Sequence, residues 1–174
     1  MFLATHEQVD FAEQGTLLAK SGRLLSNAES VEEIVAILRA HARSIVGSDG
    51  IAVVLRDGDQ CHYAAEDAIE PLWCGQRFPL TSCVSGWAML NRRTVVIPDL
   101  ENDPRVPQVA YSRTSMRTLA MVPVGEPEPV AALGAYWCAF IEPDDATVRR
   151  LEILARMAGI AFARIPAAKD AQDR

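Results

Sequence analysis

Apolar and polar positions follow two different periods along the chain, and the change from one to the other divides it into elements. Over residues 5–27 the pattern is helical but thin. Phe11, Leu18 and Leu25 recur every seven residues, with Leu17 and Leu24 beside them. So narrow a stripe predicts a helix lying against another helix, in this chain or in a second copy. Gly22 lowers its intrinsic helicity. In "ESVEEIVAILRAHARSIVG" a second helix is marked more firmly. Ser30 and Glu33 form a capping box, Val31, Ile34, Val35, Leu38, Ile45 and Val46 share one face, and Gly47 or Gly50 ends it.

The period then shortens. "GIAVVLRDGDQCHYAAED" reads as a hairpin, with two β-prone runs flanking Asp57-Gly58. "EPLWCGQRFPL" allows a short extended piece, "VSGWAMLN" a short helix, and "RTVVIPD" a strand stopped by Pro98. "LENDPRVPQVAYSRTS" is a polar loop with room for one helical turn. "MRTLAMVPV" and "PVAALGAYWCAF" are apolar strands around the turn "GEPEP". Pro143-Asp144 opens a last helix with Val148, Leu151, Leu154, Ala155, Ala158 and Phe162 facing inward. Short antiparallel strands bracketed by terminal helices predict an α+β domain: a central sheet with helices on one face. Residues 66–115 must then cross the other face, and long ordered connections of that kind are often functional.

Composition narrows the reading. A chain of 174 residues, about half of them hydrophobic, suffices for one domain and its core. The formal charge of −6 and scattered basic residues argue against nucleic acid or anionic lipid as a general partner. No apolar run approaches a membrane span, and "MFLATHEQVD" lacks the features of a signal peptide, so a cytoplasmic protein is expected. The four cysteines (Cys61, Cys74, Cys83 and Cys138) form no CxxC pair, and the histidines lie far apart, so no metal site is expected.

The stretch "FPLTSCVSGWAMLNRRTVVIPD" concentrates the candidate chemistry: Ser82, Cys83, Ser85 and Gly86 stand close together. Cys83 precedes a predicted helix, whose N-terminus would favour a thiolate. Ser85-Gly86 is not a nucleophile elbow, because residue 83 is not glycine and no histidine follows it. With no general base at hand, the stretch reads as a structural crossing over a pocket, and no catalytic residue is assigned.

The order of elements resembles that of a GAF domain, a small-molecule sensor module of many signalling proteins. The resemblance covers about residues 26–165. It is carried by "SVEEIVAILRAHARSIVGSDGIAVVLRDGD", by Gly86, by Val96-Ile97-Pro98-Asp99, by Asn102-Asp103-Pro104, and by "RTLAMVPV" with "AALGAYWCAF". "WCGQRFPLTSCVSGWAML" and "VPQVAYSRTSMRTLAMVPV" look like the GAF domains of bacterial sensor histidine kinases of the HWE and phytochrome-like types. Where many GAF domains carry a glycine pair before the small helix, this chain has Thr81-Ser82-Cys83.

The resemblance implies a GAF-like antiparallel sheet, terminal helices on one face and a loop and short helix across the other. It implies a signalling and dimerisation helix over 1–25, a GAF domain over 26–165, and a tail or linker over 166–174. A ligand pocket would be walled by Trp73, Phe78, Trp87, Tyr111 and Met116, with Cys83 or Ser85 donating hydrogen bonds and Arg113 or Arg117 orienting an anion. No required cofactor follows, and the ligand is unassigned. A homodimer through helices 5–27 and 144–165 is expected, with the chain acting as input module of a two-component kinase and not itself an enzyme.

Other chemistries of GAF folds fit less well. Free methionine sulfoxide reductases place a thiol directly before the small-helix glycine, where this chain has Ser85, and another in the following loop, which here has none. A thiol redox role at Cys83 remains the alternative, and a ligand-free dimerisation spacer the third reading. Cys61-His62 imitates a bilin-anchoring pair but falls on a strand, where neighbours point to opposite faces. The cyclic-nucleotide signature is missing after Asn91.

Overall fold

In the computed structural model, residues 4–166 are described, with side chains from residue 11 onward. The tail expected over 166–174 lies, beyond its first residue, outside the described residues. The elements are α1 (Ala4–Asn27), α2 (Val31–Val46), β1 (Gly50–Asp57), β2 (Gln60–Ala68), β3 (Arg77–Pro79), α3 (Val84–Asn91), β4 (Val95–Ile97), α4 (Gln108–Tyr111), β5 (Thr118–Val124), β6 (Ala131–Trp137) and α5 (Asp145–Arg164). The strands form one antiparallel sheet in the order β3-β2-β1-β6-β5-β4.

Helix α2 starts where its sequence says. Ser30 Oγ accepts from Glu33 N at 3.1 Å, and the Glu33 carboxylate reaches back to Glu29 N, one residue before the cap. Gly47 ends it with φ 67°, a left-handed conformation that costs glycine little, and its N–H bonds to Arg43 O. The hairpin differs from expectation by one residue. Asp57 pairs with Gln60, so the tight turn is Gly58-Asp59, with Gly58 supplying a positive φ.

Helices α1, α2 and α5 cover one face of the sheet. Leu25, Ile34, Leu38, Ile45, Leu151 and Leu154 meet Ile51, Val53, Val122 and Leu133 there in a first core. Helix α5 also closes the ends of its two neighbours. The Arg150 guanidinium donates to Ile45 O at 2.9 Å, and that of Arg164 donates to Leu25 O at 2.7 Å and Ser26 O at 2.8 Å. These carbonyls lie in the last turns of α2 and α1, where the helix dipole favours a cation, and Leu25 O also accepts from Ala28 N at 3.2 Å. Gly22 has a packing reason: a Cβ there would lie 2.7 Å from Met157 Sδ of α5. The inner side of α1 is therefore spent on its own chain, while Phe11 and Leu24 stay exposed.

The opposite face carries a second core. Ala52, Val54, Cys61, Tyr63, Leu119, Met121, Ala132 and Tyr136 rise from the sheet, and residues 73–116 pack down on them through Leu80, Val84, Met89, Leu100 and Val106. The loop is ordered by its own side chains: Asp99 accepts from Glu101 N at 3.0 Å and from Asn102 Nδ2 at 2.7 Å.

Candidate functional site

Two local features place the centre of this second layer. The first is a bulge. Val53 pairs with Ala65 but Val54 with Tyr63, which leaves Ala64 unpaired on β2. The extra residue shifts the alternation by one. Cys61 and Tyr63 face the crossing, Ala65 faces the helices, and Glu66 returns to the crossing side. There the Glu66 carboxylate accepts three backbone N–H groups, from Leu72 at 2.7 Å, Trp73 at 2.8 Å and Cys74 at 2.6 Å. That clamp fixes Trp73, whose indole donates to Ala110 O at 3.3 Å.

The second is a glycine. A Cβ on Gly86 would fall 1.8 Å from Leu80 O, so only glycine lets α3 sit this close to the 3-10 turn Leu80–Ser82. The contact seats the start of α3 over β2 and buries Cys83 and Ser85.

The result is a buried cluster of hydroxyls, thiols and aromatic rings. Ser85 Oγ lies 3.1 Å from the Tyr63 hydroxyl and 3.2 Å from Cys83 Sγ. Trp73 packs against Tyr111 (ring centroids 4.6 Å), Tyr136 (5.4 Å) and Tyr63 (5.8 Å). The hydroxyls of Tyr111 and Tyr136 lie near one another without reaching hydrogen-bond geometry, and neither has a partner. A buried polar atom left without a partner costs about 1–3 kcal/mol, which sets these two phenols apart from ordinary core residues.

Burial pushes the Tyr63, Tyr111 and Tyr136 phenols up, so all three are neutral donors. Cys83 is pulled down. The neighbouring Cys61 thiol is the largest cause, helped by Ser85, by the Gly86 N–H and by Tyr63, against the opposing effect of burial. The neighbouring Cys83 sulfur, with burial, pushes Cys61 up.

Of the residues expected to line a pocket, Trp73, Cys83, Ser85 and Tyr111 meet in this cluster. Phe78 joins it from β3, edge-on to Tyr63 at 5.5 Å. Met116 is buried at its margin, beside Cys138. Trp87 is half-buried on the outer side of α3, with the Arg105 guanidinium 4.9 Å and that of Arg93 5.9 Å from its ring centre. Arg113 is exposed, and Arg117 is held by Glu101 and by the Thr114 and Met116 carbonyls. Neither expected anion partner joins the cluster. Sequence reasoning missed Tyr63, Tyr136 and Glu66. Tyr63 was recoverable, since it stands two residues from Cys61 on a strand. Tyr136 was not, because β6 is buried along its whole length and shows no alternation.

Arg105 is positioned by Asp103, which accepts from its Nε at 2.9 Å and its Nη2 at 2.6 Å. These bonds hold the Asp103 carboxyl below its usual range. A depressed carboxyl contributes stability that is complete above the ordinary value, about pH 4, and is lost as pH falls through the lowered one. Urea melts across the acid range should therefore show a shallower loss of stability for Asp103→Asn than for the native chain.

A groove of about 790 Å³ opens on the helix side of the sheet, between α5 and the β5–β6 turn, among Arg92, Glu126, Arg156 and Ile160. None of the expected site residues lines it.

A GAF domain family model matches residues 28–163. The chain belongs to the GAF domain family. Solved structures agree on the GAF fold. Free methionine-R-sulfoxide reductase from Neisseria meningitidis, in complex with its substrate, is 22% identical with a TM-score of 0.73, covering 92% of each chain. The chromophore-binding domain of a bacteriophytochrome from R. palustris is 14% identical with a TM-score of 0.75, covering 92% of this chain and 62% of that one. A domain ascribed to a two-component sensor histidine kinase of Sinorhizobium meliloti is 12% identical with a TM-score of 0.64, covering 84% of this chain and 100% of that one. At these identities the likeness concerns the fold. No curated protein matches the chain in sequence. Among the described residues of this GAF domain, no helix is long and apolar enough to cross a membrane, and no group of three or more His, Cys, Asp and Glu could hold a metal ion.

Proposed function

We propose that this GAF domain is the sensory input module of a cytoplasmic two-component histidine kinase, and that it binds a small uncharged molecule between Tyr63, Trp73, Tyr111, Tyr136 and Ser85. The observation that carries the reading is the pair of partnerless hydroxyls on Tyr111 and Tyr136. A compact ligand with hydrogen-bond acceptors would satisfy them, and the aromatic walls would cover its apolar part. The cluster offers neutral donors and no guanidinium, so an anion is disfavoured.

Ligand contacts that favour one seating of residues 73–116 would bias the sheet beneath, as a population shift. Helix α5 packs on that sheet and grips the end of α1 through Arg164, which gives the signal a route into both terminal helices. The kinase context is supported by the resemblance of residues 73–90 and 106–124 to such GAF domains. The chain itself performs no catalysis in this reading. Homodimerisation would use the exposed apolar positions Leu24, Ile153 and Ile160. Light scattering should show a dimer at high concentration, and a strict monomer would remove that part.

Native mass spectrometry after gentle purification should show a small molecule carried by the folded chain. Tyr136→Phe deletes a partnerless hydroxyl. It should raise the stability of the ligand-free chain by about 1 kcal/mol and lower ligand occupancy. A bare chain, together with an unchanged thermal midpoint for Tyr136→Phe, would overturn the sensory reading in favour of a dimerisation spacer.

A further inference from the structure

Tyr63, Trp73, Tyr111 and Tyr136 are all buried beneath the crossing, yet one side of their cover is held by side chains alone. Residues 72–76 form the fixed side. Tyr63 N donates to Gln76 O at 3.0 Å and Gly75 N to Tyr63 O at 2.8 Å, in addition to the Glu66 clamp on Leu72, Trp73 and Cys74. Residues 107–115 form the other side. Among the described residues, their backbone-to-backbone hydrogen bonds stay within the segment: Ala110 and Tyr111 N to Pro107 O, Ser112 N to Gln108 O, Thr114 N to Tyr111 O. This strap is anchored at its ends, where Val106 is buried and Arg117 N donates to Trp137 O at 2.8 Å. Gln108, Val109, Ser112 and Arg113 are exposed on it, and Tyr111 is the one large side chain it sends inward. A segment with so few buried contacts and no backbone tie to the sheet opens more readily than the sheet itself.

Side chains close the seam. Toward the fixed side, the Trp73 indole donates to Ala110 O at 3.3 Å. The Glu70 carboxylate accepts from Ser115 N at 2.5 Å and from Ser115 Oγ at 3.1 Å, across 45 residues of chain. Toward the 99–106 loop, Gln108 Nε2 donates to Leu100 O at 2.9 Å, and near the strap's end the Arg117 guanidinium donates to Thr114 O at 3.2 Å.

We propose that residues 107–115 are the gate of the tyrosine cluster and that Glu70 is its latch. The proposal rests on the sensory reading above and gives it an entry route. When the gate opens, Glu70 releases Ser115 and Trp73 releases Ala110 O, while the Gln108–Leu100 bond and the two anchors keep the strap attached. The Tyr111 ring leaves the Trp73 ring, against which it packs at 4.6 Å, and a small neutral molecule enters between Trp73 and Tyr136. Its acceptor takes the Tyr111 hydroxyl, which has no partner when the strap is closed, so occupancy favours the closed state. Binding is thereby linked to the seating of the crossing through a population shift.

The test is hydrogen exchange of the full chain, read by mass spectrometry, beside acrylamide quenching of Trp73 in a Trp87→Phe, Trp137→Phe background. Acrylamide is a neutral amide small enough to pass the seam. In Glu70→Ala, with all tryptophans native, the amides of residues 108–115 should exchange about tenfold faster, and those of β1 and β6 should keep their rates. The same change should raise the quenching of Trp73. Ser115→Ala keeps the backbone bond and should move both readouts the same way by less. Arg77→Ala breaks an exposed ion pair with Asp57 and should move neither. Exchange unchanged in the strap, or raised evenly over strap and sheet, would remove the latch. Faster strap exchange with Trp73 no more quenched would remove the seam as the entry route. Neither readout needs a bound molecule, so a chain that purifies bare counts against the sensory reading alone.

Discussion

Replacing Gly86 with alanine should unfold the crossing layer, and it is the most damaging single methyl group that can be added to this chain near its site. The added carbon would stand 1.8 Å from Leu80 O, 2.5 Å from Leu80 C and 2.6 Å from Leu80 Cα. Those are backbone atoms, so no side chain can swing aside. Two terms oppose each other. Alanine gains about 1 kcal/mol of helix propensity over glycine inside α3. The overlap costs about 3 kcal/mol or more, because either α3 or the Leu80–Ser82 turn must retreat by more than an ångström from a close-packed layer. The clash wins. Denaturant melts should place Gly86→Ala at least about 2 kcal/mol below the native chain, with near-ultraviolet dichroism from Trp73 and Trp87 lost first. A variant that melts at or above the native midpoint would show that α3 does not depend on this approach.

Glu66→Ala should be the next largest loss. The side chain holds three consecutive N–H groups, at 2.6–2.8 Å, that have left the sheet and need an acceptor. Hydrogen bonds to a charged group are worth about 1.5–3 kcal/mol each. The segment is partly exposed, and water recovers much of that, so about 3 kcal/mol in total is expected. Glu66→Gln should cost about half as much. Its oxygen can still serve Trp73 and Cys74, but its amide nitrogen would oppose the Leu72 N–H, donor against donor. The consequence reaches the site, since Trp73 packs on Tyr111 and Tyr136 and donates to Ala110 O. Both variants should shift Trp73 fluorescence toward the solvent-exposed spectrum before global unfolding. Unchanged fluorescence with a lowered midpoint would reduce Glu66 to a general stabiliser.

Much of the fold could be read from local chemistry. Ser30 with Glu33, Gly47, the β-prone runs around the Gly58 turn and Asp144 each act within a few residues, so their signals survive in a single chain. The site was legible only in part. Cys83, Ser85 and Trp73 stood out by type and by place in the long crossing. Trp87 and Arg113 stood out equally and sit elsewhere, because sequence order does not say which side of α3 or of a loop a residue faces.

The chain's own pattern determined which segments are helix or strand, that the strands are short and antiparallel, and that residues 66–115 must cross a face of the sheet. Those properties follow from period and capping, which are local. Tertiary structure alone decided what lies under the crossing. The unpaired Ala64 reverses the alternation of β2 and brings Glu66 to the crossing side, and the missing side chain of Gly86 lets α3 descend until Ser85 meets Tyr63. A bulge is defined by the partner strand and a close approach by the surface approached, and neither partner is a neighbour in sequence.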